Sequence, residues 1–423
     1  MKRLQISMPE WMRSAAVTGL LASALAAQPG PTLEEMLQAN SHRIDEEGEL
    51  GGPGLDYLLK QAALAQFVVL GEPHNVKQVP QFTTALFKAL HSSYGFDYLA
   101  LEQGPFIIEA MSLAGREKGR EGVVEVASEY PGALHFYTDQ ELHMIADVSA
   151  IEGARIPRVW GVDRSLSSAP ALRQLSQSVT DPDLSAKLSS LARQAREFNL
   201  ANLLERERLM GSKPELFEAL PGQAEGEDAE VRWKLQWLAS SARNIRLFRE
   251  HTRENPSGYF SNLEREEMMK DAFLRQYRRA QAAGDSLPRV LIKSGHWHSL
   301  RGRNQGNVFT LGNLAGELAR FNGYESLHVG ISVINEPGRH WSISDHEEWA
   351  PIAAVSSPHR WTLIDLRPLR PYLHSGLFKL GPQLEEMAFA FDLALVLGGT
   401  DPGSIEWAQA LIQEARDQGN GPR

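Results

Sequence analysis

Short apolar runs rich in β-branched and aromatic residues recur along this chain with longer helical patterns between them, and no other feature constrains its fold as strongly. The runs are Phe67 to Leu70, Tyr98 to Leu101, Arg158 to Val162, Val290 to Ile292, Leu327 to Ile334, Trp361 to Ile364 and Phe391 to Leu397. Helical periodicity separates them, at Leu55 to Gln66, Val79 to Ser92, Asp139 to Ile151 and Leu311 to Phe321. Strands spaced by helices join through right-handed βαβ crossovers, so the sequence predicts an α/β fold with a mostly parallel central sheet flanked by helices. Ala169 to Ala283 breaks the alternation. It carries only helical patterns, at Asp183 to Leu209, Asp228 to Glu250 and Leu263 to Ala282, interrupted by a loop at Pro214 to Glu227. A long helical insertion is expected there, either padding the sheet or closing over a pocket as a lid. The charged, glycine-rich stretch Ser41 to Gly54 is expected to be a loop.

Composition bounds the partners. With 423 residues and 42% hydrophobic content the chain can bury a large core, and one α/β domain over residues 28–423 is expected. A net charge of −10 argues against a nucleic-acid binder, whose affinity would rest on a basic surface, and points to a small molecule or peptide. Zero cysteines exclude disulfides, thiol catalysis and zinc-thiolate sites. At the N-terminus, Lys2 and Arg3 precede an apolar stretch from Ala15 to Leu25, and Ala24-Leu25-Ala26 has the small-x-small pattern suited to cleavage. Residues 1–27 therefore read as an export signal, which implies a bacterial periplasmic or secreted protein. No other apolar stretch is long enough to cross a bilayer, so no integral span is expected in the mature chain.

Chemistry collects where the runs end. Phe67-Val68-Val69-Leu70 stops in Gly71-Glu72-Pro73-His74; Tyr98 to Leu101 is followed by Glu102; Arg158 to Val162 leads into Asp163-Arg164; Val290 to Ile292 leads through Gly295 into His296-Trp297-His298. In an open α/β sheet the carboxyl ends of parallel strands form the ligand crevice, and residues two apart there point the same way. Glu72, His74, Glu102, Asp163, His296 and His298 thus supply either a general base with orienting carboxylates or an oxygen/nitrogen metal site. Each also has an ordinary explanation. Glu72 can cap the next helix, His74 can be a surface turn residue, Glu102 can pair with a buried arginine, and Asp163 can anchor a loop. Either His296 or His298 can face the crevice with the other packed away. His135, His143 and His251 read as ordinary; Arg164, Arg265, Arg301 and Arg303 are secondary candidates for anion contacts near the crevice, with surface solvation or structural pairing the better reading for Arg301 and Arg303.

The same residues carry a resemblance. A strand ending in Gly-Glu-x-His, a helix, and then a strand of Gly95-Phe96-Asp97-Tyr98-Leu99-Ala100-Leu101-Glu102 resembles the erythromycin esterase-like superfamily, which also groups the ChaN haem-uptake proteins and the Tiki/TraB proteins. Tyr137-Thr138-Asp139-Gln140-Glu141 resembles the family's aromatic-Thr-x-x-Glu helix start, and Gly161-Val162-Asp163 its Gly-x-Asp strand end. Arg265-Glu266-Glu267-Met268-Met269 resembles its Arg-Asp-x-x-Met stretch, and Phe391-Asp392 its last strand. The likeness runs in order over most of the chain. Two spacings depart from the esterases: their Gly-Glu-x-x-His and Ala-His-Asn-x-His are each one residue longer than Gly71-Glu72-Pro73-His74 and Gly295-His296-Trp297-His298. The first matches the ChaN-like group instead.

The resemblance implies that Glu72, His74, Glu102 and His296 or His298 form the site, with Asp163, Arg164, Arg265 and Glu141 bordering the substrate. In the esterase reading His74 takes a proton from water, Glu72 and Glu102 orient and charge-match the imidazole, and the later histidine steadies the oxyanion without a cofactor. A serine-nucleophile design is the competing hydrolase, but no Gly-x-Ser-x-Gly elbow is present. Two alternatives remain at this level. In a Tiki-like hydrolase Glu72, His74, Glu102 and His296 hold a divalent metal. In a ChaN-like protein His74 or His296 is an axial ligand to haem and nothing is catalysed.

Overall fold

The computed structural model describes residues 30–46, 50–203, 207–335 and 342–417. The expected export signal lies outside them. Eight strands form one sheet: β1 (Ser41–Ile44), β2 (Ala65–Glu72), β3 (Tyr98–Leu101), β4 (Val159–Gly161), β5 (Val290–Gly295), β6 (Glu325–Ile334), β7 (Trp361–Asp365) and β8 (Leu393–Gly398), in the order β1-β7-β8-β6-β2-β5-β3-β4. The six strands from β8 to β4 are parallel, and β7 runs antiparallel to both β8 and β1. The fold is α/β with a mostly parallel sheet. β2 lies at its centre between β5 and β6.

Period-two alternation assigns the two faces. Val68, Leu70, Leu99, Leu101 and Leu291 face a core built with Phe82, Leu86, Ile108 and Ile145, from helices Gln78–Tyr94, Pro105–Glu129 and Asp139–Ser149. Phe67, Val69, Tyr98, Ala100, Val290 and Ile292 face the other side. There they meet Leu172, Leu238 and Phe273, from helices Ala169–Ser178, Ala229–Arg249 and Ser257–Ala282. Every residue of β2 is buried, as a central strand covered on both faces requires. Among the described residues the segment between β4 and β5 contains no strand, and its helices are packed onto the sheet as a full layer. No helix of the described residues is long and apolar enough to cross a membrane.

Three local expectations need correction. Ser41–Ile44 is a strand, because Ser41 to Ile44 pair with Ile364 to Trp361 at the sheet edge; the glycine-rich part alone turns, and the next helix starts at Pro53. The Pro214 to Glu227 stretch is folded into the short helices Glu215–Glu218 and Pro221–Gln223, which bury Phe217 and Leu220. The last strand starts at Leu393, since Phe391 ends the helix Pro382–Ala390, its N–H bonded to the Met387 carbonyl.

Candidate active site

Two buried cations organise the carboxyl end of the sheet. Lys293, within β5, donates from Nζ to Glu72 Oε1 at 2.7 Å and to Glu141 Oε1 at 2.6 Å. Glu72 ends β2, the neighbour of β5, and Glu141 sits in the first turn of helix Asp139–Ser149. That helix is capped by the Thr138 hydroxyl, which accepts from the Glu141 N–H at 3.3 Å. A Thr-x-x-Glu start normally turns its glutamate back onto the cap; here the carboxylate goes to Lys293 instead. Arg265, from helix Ser257–Ala282, is the second cation. Its Nε and Nη2 grip Asp163 at 2.9 and 2.5 Å, and Nη2 also donates to Glu102 Oε1 at 2.7 Å. The other Glu102 oxygen accepts the Gly295 N–H at 2.7 Å and so joins the two groups across β5.

Histidines surround these ion pairs. His74 Nδ1 lies 3.5 Å from Glu72 Oε1, and its side chain keeps 36% of its surface exposed, whereas that of Glu72 keeps 2%. Phe136 stacks on the ring at 4.1 Å. Gln103 holds Phe136 in place by donating to its carbonyl and accepting the His135 N–H, both at 2.8 Å. Gly295 lets the ring in, because a Cβ there would come within 2.8 Å of His74 Cε1 and Nε2 and 3.4 Å of Glu102 Oε2. His298 is buried between two carboxylates, with Nδ1 2.7 Å from Glu266 Oε1 and Nε2 3.6 Å from Glu102 Oε1. His296 packs edge-on against Phe391 and beside Gly71, and its Nε2 is buried without a hydrogen-bond partner.

These surroundings push the titratable groups apart, as acid–base sites require. Burial works against ionised Glu102, but the positive charge of His298 and Arg265 overrides it and holds its carboxyl at about 2. Asp163 is held well below the carboxylate range by Arg265 despite its burial. Glu72 is lowered by Lys293 and His74, again against burial. Glu141 goes the other way: burial and the Glu72 charge raise it, because one lysine cannot fully compensate two buried carboxylates. Burial depresses His74, yet Glu72 and Glu102 outweigh it and raise the imidazole above 6.5. Burial, with the charge of His74, drops His296 to about 4.

Thus Glu72, His74, Glu102, His296 and His298 share one end of the sheet, but not in equivalent positions. Asp163 is fully buried and Glu141 nearly so. Both hold cations of the site, Asp163 through Arg265 and Glu141 through Lys293, and leave little surface for a substrate. His135, expected to be ordinary, belongs to the network: Nε2 lies 3.3 Å from Asp163 Oδ2 and 3.0 Å from the Arg164 carbonyl. Lys293 was missed altogether. A lysine inside a fully buried strand demands carboxylate partners, and that was the available signal. Arg301 donates to Asp392 at 2.7 Å beside the amino end of β8, and Arg303 stacks on Phe309.

Among the described residues no group of three or more histidines and carboxylates is arranged to hold a metal ion. The four residues named for one do not fit it. Glu72 and Glu102 are already neutralised at hydrogen-bond distance by Lys293 and Arg265, whose charges would repel a divalent cation.

No family model matches the chain, and no curated protein matches its sequence at a significant level. Solved structures do match. A protein described as a succinoglycan biosynthesis protein superposes with TM-score 0.58 at 17% identity, over 88% of this chain and 98% of its own. A Bacillus cereus protein superposes with TM-score 0.55 at 16% identity, over 88% and 98%. A mutant of the erythromycin esterase EreC in its open conformation gives 0.55 at 14% identity, over 86% and 99%. The likeness establishes a common fold spanning nearly the whole of each relative.

Proposed function

We propose that this chain, which has the fold of the erythromycin esterase-like proteins, is a hydrolase in which His74 activates water to cleave an ester or amide. The observation that carries the reading is the exposed His74 ring, oriented by Glu72 on one edge and laid over Gly295 beside Glu102 on the other. A base must meet solvent and substrate while its orienting partners stay dry; His74 is exposed, whereas His298 and the Nε2 of His296 are buried. Water attacks the carbonyl carbon as its proton passes to His74. The protonated ring then delivers that proton to the departing alkoxide or amine as the tetrahedral intermediate collapses.

The oxyanion needs a cation. Arg265 supports this role, because Nε and Nη2 are committed to Asp163 and Glu102 while Nη1 makes no hydrogen bond among the described residues. His298, held on both sides by carboxylates, is better placed to fix Glu102 than to reach substrate.

A panel of activated esters and anilides tests the proposal. His74→Ala should lower turnover by about a hundred- to ten-thousand-fold, the usual worth of a positioned base, with little change in thermal unfolding because the ring is part exposed. A base works only when deprotonated, so kcat/KM should rise with pH through a single limb above 6.5, where Glu72 and Glu102 have moved the imidazole. Undiminished turnover in His74→Ala, or a limb that survives in that variant, would refute the assignment.

A further inference from the structure

Residues 399–407 leave the carboxyl end of β8 and pass as a strap between the two segments that carry His74 and Phe136. Gly399 takes a left-handed φ of 65°, which suits glycine, and Thr400 is then pinned by its N–H and hydroxyl, both donating to Asn335 Oδ1 at 3.0 Å. On one side the strap grips the loop between β2 and helix Gln78–Tyr94, in which His74 sits. The Lys77 N–H donates to the Asp401 carbonyl and the Gly403 N–H to the Asn75 carbonyl, each at 2.9 Å, and Val76 bridges to Pro402. Among the described residues these are the only hydrogen bonds between backbone groups that tie residues 73–77 to a distant segment. Asn75 has a φ of 63° at the point where it is gripped, a conformation that costs free energy outside glycine and persists where its surroundings hold it.

On its other side the strap is bound to the start of helix Asp139–Ser149. The Asp139 N–H donates to the Ser404 carbonyl at 2.8 Å, and the Gln140 amide exchanges hydrogen bonds with the Ser404 N–H and Oγ at 3.1 and 2.9 Å. The Asp139 carboxylate accepts the N–H groups of Glu406 and Trp407 at 2.8 and 3.1 Å, and the Trp407 indole donates to the Tyr137 carbonyl at 2.7 Å. This turn carries Glu141, the partner of Lys293, and Tyr137 follows Phe136, the ring stacked on His74. The fit is close: a Cβ on Gly403 would come within 2.4 Å of Cγ2 of Thr138, which caps the helix. Glu72, at 3.5 Å from the imidazole, is beyond ordinary hydrogen-bond length and cannot fix the ring alone. The loop and the Phe136 stack must do so, and the strap joins them.

We propose that Asp139, Gly403 and Trp407 are positioning residues for His74, which through the strap hold the base over Gly295 and against Phe136. The consequence for turnover rests on the hydrolase reading; the placement of the ring does not.

Histidine NMR of the full chain reads that placement, with the His74 signal identified by its loss in His74→Ala, and kcat/KM against pH reads the consequence. Against burial, Glu72 and Glu102 hold the wild-type imidazole above 6.5. In Gly403→Ala the added Cβ pushes the strap off Thr138, so the His74 titration and the limb of kcat/KM should both move down toward 6.5. Turnover should fall about tenfold with KM changed less than about twofold, as expected for a misplaced base. Trp407→Phe loses one hydrogen bond and should act in the same direction by a smaller factor, which keeps the test open if Gly403→Ala does not fold. Asp139→Ala should match Gly403→Ala, and Asp139→Asn, which keeps one acceptor, should recover part of the loss. An unmoved His74 titration in whichever of these variants fold would overturn the inference, even with unfolding made easier, because the strap would then serve stability alone. A moved titration in a chain that cleaves no ester or anilide removes only the hydrolase. Wild-type turnover and pH limb in every strap variant remove only the positioning role.

Discussion

The Lys293 and Arg265 halves of the site share one plan and differ in charge. Each places a buried cation between two carboxylates: Lys293 between Glu72 and Glu141, Arg265 between Glu102 and Asp163. In the Arg265 half both carboxylates are driven down, because the fork satisfies two partners at once and Arg164 adds a second cation beside Asp163. In the Lys293 half one point charge serves two acids, so Glu72 is lowered while Glu141 is raised, and His74 is drawn toward protonation. The difference separates a fixed scaffold from a half whose protons can move. The proposed proton transfer belongs to the second, where the exposed imidazole is.

The comparison breaks first on Asp163. It is fully buried and anchors Arg265 through two hydrogen bonds, so Asp163→Asn leaves that cation short of its main partner and should cost about 3–5 kcal/mol of stability by denaturant titration. Loss within 1 kcal/mol would show that the Arg265 half is not the fixed one. Glu102 adds a pH signature. Its carboxyl is held at about 2 against an ordinary 4.5, so its contribution is complete above 4.5 and disappears as pH falls toward 2.

A smaller effect is expected at Gly295, where the halves meet. Gly295→Ala leaves all four carboxylates and both cations in place, but its Cβ would displace the His74 ring, found 2.8 Å from that position. Misplacing a base by a fraction of an ångström to an ångström should lower turnover about ten- to a hundredfold, with unfolding shifted by less than about 1 kcal/mol. Full turnover would mean that His74 does not work from the position seen.

The halves were unequally legible in the sequence. Glu72, His74, Glu102 and His296 stand at the ends of apolar runs, where period-two burial stops abruptly, and strand ends can be read from one sequence. β3 and the helix Leu311–Phe321 match their predicted bounds for the same reason, since each is closed by a sharp change of pattern. Partners contributed from elsewhere could not be read. Nothing local distinguishes Glu141 in a helix start as the acid for Lys293, nor His135 as a neighbour of Asp163, 28 residues later in the chain. The strand at Ser41–Ile44 was hidden similarly, because its pairing with β7 spans more than three hundred residues and its own composition is that of a turn. Resemblance supplied Arg265 and Glu141 as site residues, but it could not say that one carboxylate would be pushed up and its counterparts down.

Glu141 gives the smallest and sharpest prediction. Its carboxyl is raised, so relative to the unfolded chain the folded state prefers the protonated acid. The sign follows: its contribution to stability is fully present below 4.5 and is lost as pH rises through the folded value, so ionised Glu141 is a liability at neutral pH. Glu141→Gln keeps an acceptor for Lys293 and removes that liability, while weakening one charge-assisted bond. The two changes oppose each other, and the net effect should lie within about 1 kcal/mol of wild type at pH 7. The variant should also flatten the decline in stability as pH rises above 4.5 and move the His74 limb of kcat/KM slightly downward, because less negative charge then faces the ring. Urea titrations across that range, run beside Asp163→Asn, measure both halves in the same units. Equal losses in the two variants would erase the distinction between scaffold and proton-transfer half, and a Glu141→Gln penalty that grows with pH would reverse it.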